Sequence, residues 1–119
     1  MKKIILMIAL TLFAVPAFAY STSQFNPSGT VTTGALATIT LPAVSNDILV
    51  LNDSTITTES FYVDFTGTKT VATITNESAG TGGHILKYGE FVGPDGFRTN
   101  KVKLLAKSGS PAYRVFVVY

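Results

Sequence analysis

The sequence predicts an all-β fold: a single antiparallel β-sandwich of about seven strands, Ig-like or jelly-roll-like, behind a cleaved signal peptide. Three observations predict it. Beyond residue 19 the chain is rich in Thr, Val, Ile, Phe and Tyr, residue types that suit a pleated, half-buried surface. Short apolar alternations recur at intervals of roughly a dozen residues, punctuated by Gly, Pro, Asn and Asp. Past the N-terminal segment, no window repeats apolar residues at i, i+3, i+4 and i+7 in the manner of an amphipathic helix.

Residues 1–19 have the layout of a secretory signal. Lys2 and Lys3 form a cationic start, residues 4–13 are apolar apart from Thr11, Pro16 breaks the helix, and Ala17-Phe18-Ala19 is an A-x-A cleavage site. As a helix, the apolar run to Ala19 reaches roughly 24 Å, short of the ~30 Å hydrocarbon core. Cleavage is therefore expected over a membrane anchor. The domain is expected to be exported, to the periplasm, cell surface or medium, with no membrane insertion after cleavage. Residues 20–33 are mostly Ser, Thr, Asn, Gly and Pro, with Phe25 and Val31 the sizeable apolar side chains after Tyr20. This composition predicts a flexible N-terminal arm, followed by the sandwich domain at 34–119.

The strands are expected as follows. In residues 36–41, Ala37, Ile39 and Leu41 face one way and Thr38 and Thr40 the other, with Pro42 as the stop. Residues 47–52 hold the continuous apolar run of positions 48–51, which predicts a strand covered on both faces. Asn52-Asp53-Ser54 then turns the chain. In residues 59–66, Phe61, Val63 and Phe65 line one face, opposite Tyr62 and Asp64. Residues 70–75 alternate Ala72 and Ile74 with threonines, and the Gly-rich segment 80–83 leads into a strand at 84–88. Gly93-Pro94-Asp95-Gly96 is the strongest turn signal, with Gly96 free to take positive φ. Residues 101–107 carry Val102, Leu104 and Ala106 inward and lysines outward, and Tyr113, Val115, Val117 and Tyr119 alternate to the C-terminus.

Charge and composition narrow the function. Lys2 and Lys3 account for the net charge of +2. The rest of the chain balances seven Lys and Arg against seven Asp and Glu, so it carries no electrostatic footprint for nucleic acid or an anionic membrane. With no cysteine, thiol chemistry and disulfide support are excluded, and the small core must stand on packing and strand pairing.

Each candidate for chemistry has a plainer reading. His84 is the sole histidine, and no G-x-S-x-G motif supplies a serine nucleophile for it. A glycosidase pair among the carboxylates would need a cleft and aromatic platforms, and there is no tryptophan. Asp47, Asp53 and Asp95 fall in or beside turns but lack the spacing of a calcium loop. Residues 80–83 precede a strand, not a helix, so they form no phosphate cradle. Asn52-Asp53-Ser54 and Asn76-Glu77-Ser78 fit the N-x-[ST] acceptor pattern, each in an expected turn. The five tyrosines suit a core or rim. The expectation is no enzyme, no cofactor and no metal. A protein partner or self-association is expected instead, with Phe25, Val31, Tyr113 and Tyr119 as candidate assembly contacts.

Four segments between residues 47 and 119 form a pattern: Asp47-Ile48-Leu49-Val50-Leu51-Asn52, Phe61-Tyr62-Val63-Asp64-Phe65, Lys87-Tyr88-Gly89-Glu90, and residues 104–110, Leu-Leu-Ala-Lys-Ser-Gly-Ser. In this pattern the chain resembles small β-sandwich structural proteins of tailed-phage virions. The residues taken together predict an exported, non-catalytic structural or interaction module at a cell or particle surface. The resemblance implies the alternative, a phage virion surface or capsid decoration protein. A small secreted carbohydrate- or ligand-binding domain is the second alternative.

Overall fold

Alternation in the sequence becomes pleat in the computed structural model, which describes residues 24–77, 82–96 and 98–118. Among these lie the strands β1 (Gln24–Phe25), β2 (Ser28–Thr30), β3 (Ala37–Ser45), β4 (Ile48–Asn52) and β5 (Ser60–Asp64). A single helical turn, α1 (Val71–Ile74), precedes β6 (His84–Leu86), β7 (Phe91–Val92), β8 (Thr99–Ser108) and β9 (Ala112–Val118). All the ladders are antiparallel. One sheet runs β1-β9-β4-β7, with β2 also paired to β9, and the other runs β3-β8-β5-β6.

The inward residues of both sheets meet in one core. Ile39, Phe61, Val63, Leu86, Val102 and Leu104 come from the four-stranded sheet, and Ile48, Val50, Val115 and Val117 from the five-stranded one. The arrangement is thus sandwich-like, with Phe61, Val63 and Phe65 buried on the face that alternation predicts. A polar side chain also ties the two sheets together. Asn52 of β4 donates from Nδ2 to the carbonyl oxygens of Glu59 and of Leu86 in β6, both at 3.1 Å. Its Oδ1 accepts the Ser54 N–H at 3.1 Å.

The strand count is nine among the described residues, not seven, and the differences have local causes. Residues 70–75 form α1 with its cap instead of a strand. The Thr70 hydroxyl accepts the Thr73 N–H, the Thr73 hydroxyl accepts the Thr70 N–H at 2.8 Å, and Ile74 is fully buried. This capping box competes with a pattern that alternation alone reads as β. Pro42 does not end its strand, because β3 is an edge strand and a missing N–H there breaks no ladder bond. The register shifts between Thr40 and Ser45 instead.

The described part of the expected flexible arm is ordered against β9. Gln24 and Phe25 pair with Val118 and Val117, and residues 28–30 pair with 114–112. Val31 is completely buried in the core, its N–H bonded to the Pro111 carbonyl at 2.9 Å. Main-chain hydrogen bonds hold this segment irrespective of its polar side chains, so composition gave no sign of them. The signal expected at 1–19 lies outside the described residues.

The run at 48–51 is also corrected: β4 is covered on one face only. Ile48 and Val50 are buried, whereas Leu49 is 37% exposed.

Candidate functional site

The outer faces of the two sheets are built differently. On β5 and β8, the residues pointing away from the core include Tyr62 and Leu105, and α1 lays Ile74 over them, with Leu36 and Ile85 packed alongside. Tyr62, expected opposite the core, is therefore buried, and Asp64 beside it is buried as well. The Asp64 carboxylate is satisfied within its own turn by the N–H groups of Thr66 (2.9 Å) and Lys69 (3.0 Å).

Among the described residues, the five-stranded sheet has no such cover. Because Ile48 and Val50 face in, Leu49 and Leu51 must face out, and because Val115 and Val117 face in, Arg114 and Phe116 face out. Register sets these residues side by side. Leu49 lies opposite Phe116, and Leu51 lies between Arg114 of β9 and Phe91 of β7. Phe91 is 66% exposed and Phe116 36%. The Arg114 guanidinium is paired with Asp53, Nη2 to Oδ2 at 2.7 Å. The result is an apolar sheet face with a neutralised charge at one end.

A concavity of about 470 Å³ lies between the segment that follows α1 and the start of β6, lined by Asn76, Glu77, Gly82, Gly83, His84 and Ile85. Gly82 and Gly83 allow the chain to press against α1 and the residues after it: a Cβ on Gly82 would sit 2.3 Å from the Asn76 carbonyl oxygen, and one on Gly83 2.6 Å from the Ile74 side chain. Glu77 is already engaged. The Tyr62 hydroxyl donates to its Oε1 at 2.5 Å, the Lys107 ammonium pairs with the same oxygen, and that ammonium lies 5.6 Å from the Tyr62 ring centroid. The hydrogen bond from Lys107, then that from Tyr62, holds the Glu77 carboxyl below its ordinary range. The bond to Glu77 raises the Tyr62 hydroxyl and the Lys107 ammonium above theirs. A carboxylate stabilised in this way is a poor proton acceptor near neutrality. His84 opens β6 as an exposed residue in the same cleft.

The residues singled out from the sequence are distributed as follows. Phe25 is placed on β1 against Val117 of β9. Val31 is sealed in the core, and Tyr113 packs against that core from β9. A Cβ on Gly29 would meet the Tyr113 hydroxyl at 3.0 Å. Val31 is thus enclosed within its own domain, Tyr113 is part-buried against it, and Tyr119 lies outside the described residues. Asn52 is 1% exposed with both amide hydrogens donated, so its acceptor triplet cannot take a glycan. Among the described residues, no three of His, Asp and Glu converge in a way that would hold a metal ion, and no helix is long and apolar enough to cross a membrane.

Sequence reasoning missed Leu49, Phe91 and Phe116 as surface residues. The signal is present, since strict alternation on either side of Val50 and Val115 places Leu49 and Phe116 outward, but an unbroken apolar run also fits a strand covered on both faces. No family model, curated protein or solved structure matches the chain.

Proposed function

We propose that this protein is an exported, non-catalytic structural or interaction module that works at a cell or particle surface. The observation that carries the reading is the open apolar face of Leu49, Leu51, Phe91 and Phe116, set on one sheet while α1 covers part of the other. Exposed apolar groups gathered on one face mark interaction surfaces more often than the same residues scattered singly. The engaged state of Glu77 supports a non-catalytic role for the neighbouring cleft. Export rests on the signal pattern of residues 1–19.

The exported chain is expected to begin at Tyr20 by intact mass and to remain with the cell or particle fraction. Phe91→Lys should release it to the medium with its melting temperature unchanged. Retention by the variant equal to wild type overturns the assignment of this face.

The strand order favours a second, related reading. Counting β1 and β2 as one interrupted strand gives eight strands in two four-stranded sheets, β1/β2-β9-β4-β7 and β3-β8-β5-β6. We infer a jelly roll of two Greek keys, an architecture that viral capsid and lectin domains share. An Ig-type order would pair more sequence neighbours within a sheet. Fold alone does not assign function, but this order supports the virion surface or decoration protein as the alternative. Co-sedimentation with purified particles, against none with cell envelopes, selects it.

A further inference from the structure

We propose that the open face of the five-stranded sheet is a self-association surface whose partner is a second copy of this chain. The inference rests on the preceding reading of that face as the interaction surface and names its occupant.

The edges and the face of this sheet are treated oppositely. One edge strand is interrupted by Pro27 between β1 and β2, and the other, β7, is two residues long and followed by Gly93-Pro94. Short, proline-broken edges resist the addition of a strand. The same sheet leaves Leu49 and Phe116 side by side, and Phe91 beside Leu51, on its outer surface. Contact through this sheet is therefore directed to its face.

Charge selects the occupant. The cation on the face, Arg114, already has Asp53 as its partner within the same chain. Among the described residues, Leu49, Leu51, Phe91, Phe116 and the Arg114–Asp53 pair together present no net charge to draw a strongly acidic or basic partner, and they meet their own copy without opposing like charges. A two-fold arrangement uses one patch twice, so a patch that is apolar and internally neutral is complementary to itself.

Area sets the strength. At 66%, 36% and 37% exposure, Phe91, Phe116 and Leu49 offer roughly 300 Å² of apolar surface per copy. Two copies with a polar rim would bury on the order of 1,000 Å², the lower limit of specific interfaces. Pairing is accordingly weak in dilute solution, with a dissociation constant of roughly 0.1–1 mM, and gains through repetition when many copies are held on one surface.

Sedimentation velocity of the exported chain, from roughly 10 μM to 2 mM, should show reversible, concentration-dependent association. Phe91→Lys and Phe116→Lys should each weaken it at least tenfold, whereas Val44→Lys, at an exposed position on the other sheet, should leave it unchanged. Hydroxyl-radical footprinting of the wild type, which needs no variant to fold, should show Phe91 and Phe116 becoming protected as concentration rises. A wild type that stays monomeric without such protection overturns the proposal, as does association that neither lysine variant weakens. If the wild type is monomeric and Phe91→Lys still abolishes surface retention, the second copy is wrong and the interaction module stands. If retention is also unaffected, both fall.

Discussion

At Asn52 two amide hydrogens meet two main-chain carbonyls, those of Glu59 and Leu86, and the amide oxygen takes the Ser54 N–H. In a domain without disulfides this side chain joins β4 of one sheet to β6 of the other. Asn52→Ala strands those buried groups, each costing about 1–3 kcal/mol unless water reaches it. A loss of about 2–4 kcal/mol in urea unfolding, with the denaturant slope unchanged, is the expected result. A different residue cluster sets the pH response. The depressed Glu77 carboxyl contributes stability above its unfolded pKa, which is lost as pH falls through the folded value. The raised Tyr62 and Lys107 contribute stability below their unfolded values, which is lost as pH rises through the folded ones. The melting-temperature difference between wild type and Glu77→Gln should therefore be largest near neutral pH. It should shrink below the carboxylate range, above the tyrosine range and in high salt. A pH-independent difference would mean that the three groups do not interact in solution.

Among the elements, α1 and the β1/β2 segment depart furthest from the sequence reading, and both yield predictions that separate the two readings. If 70–75 were a solvent-facing strand, Thr73→Ala would be close to neutral. As the third helical residue, closing the capping box that Thr70 opens, Thr73 holds the Thr70 N–H, so Thr73→Ala should cost about 0.5–1 kcal/mol. A free arm would tolerate deletion of residues 20–33 with an unchanged melting temperature. Because Val31 is fully buried and its N–H is bonded to Pro111, that deletion should lower the melting temperature sharply. Val31→Ala alone should cost about 2 kcal/mol in chemical denaturation. The strands with clean alternation were legible in the sequence: Ile39 and Leu41, Phe61 and Val63, Val102 and Leu104, Val115 and Val117 all face inward as read. The very short β1, β2 and β7 were not legible, because two or three residues are too few to establish a period, and main-chain bonds to β9 and β4 define them instead.

At the scale of the whole molecule, connectivity governs how the domain is reached. Of the strand pairs among the described residues, only β5 with β6 joins sequence neighbours, and the others, such as β3 with β8 and β4 with β9, close long loops. Loop closure must precede the contacts that compensate for it. Refolding followed by tyrosine fluorescence in a stopped-flow instrument should therefore take milliseconds to seconds, and a microsecond phase carrying the full amplitude would contradict this topology.

The sequence by itself determined that the domain is β-rich and cysteine-free, and which side chains of the cleanly alternating strands point inward. These follow from composition and from a two-residue period, both local properties of the chain. Only the tertiary structure decided what lies over the outward side chains. Tyr62 and Leu105 are buried because α1, eight residues or more away in sequence, lays Ile74 over them. Leu49, Phe91 and Phe116 are exposed because no described element crosses their face. Alternation assigns a residue to a face, but whether that face meets protein or water depends on segments distant in the chain, and no local pattern records their position.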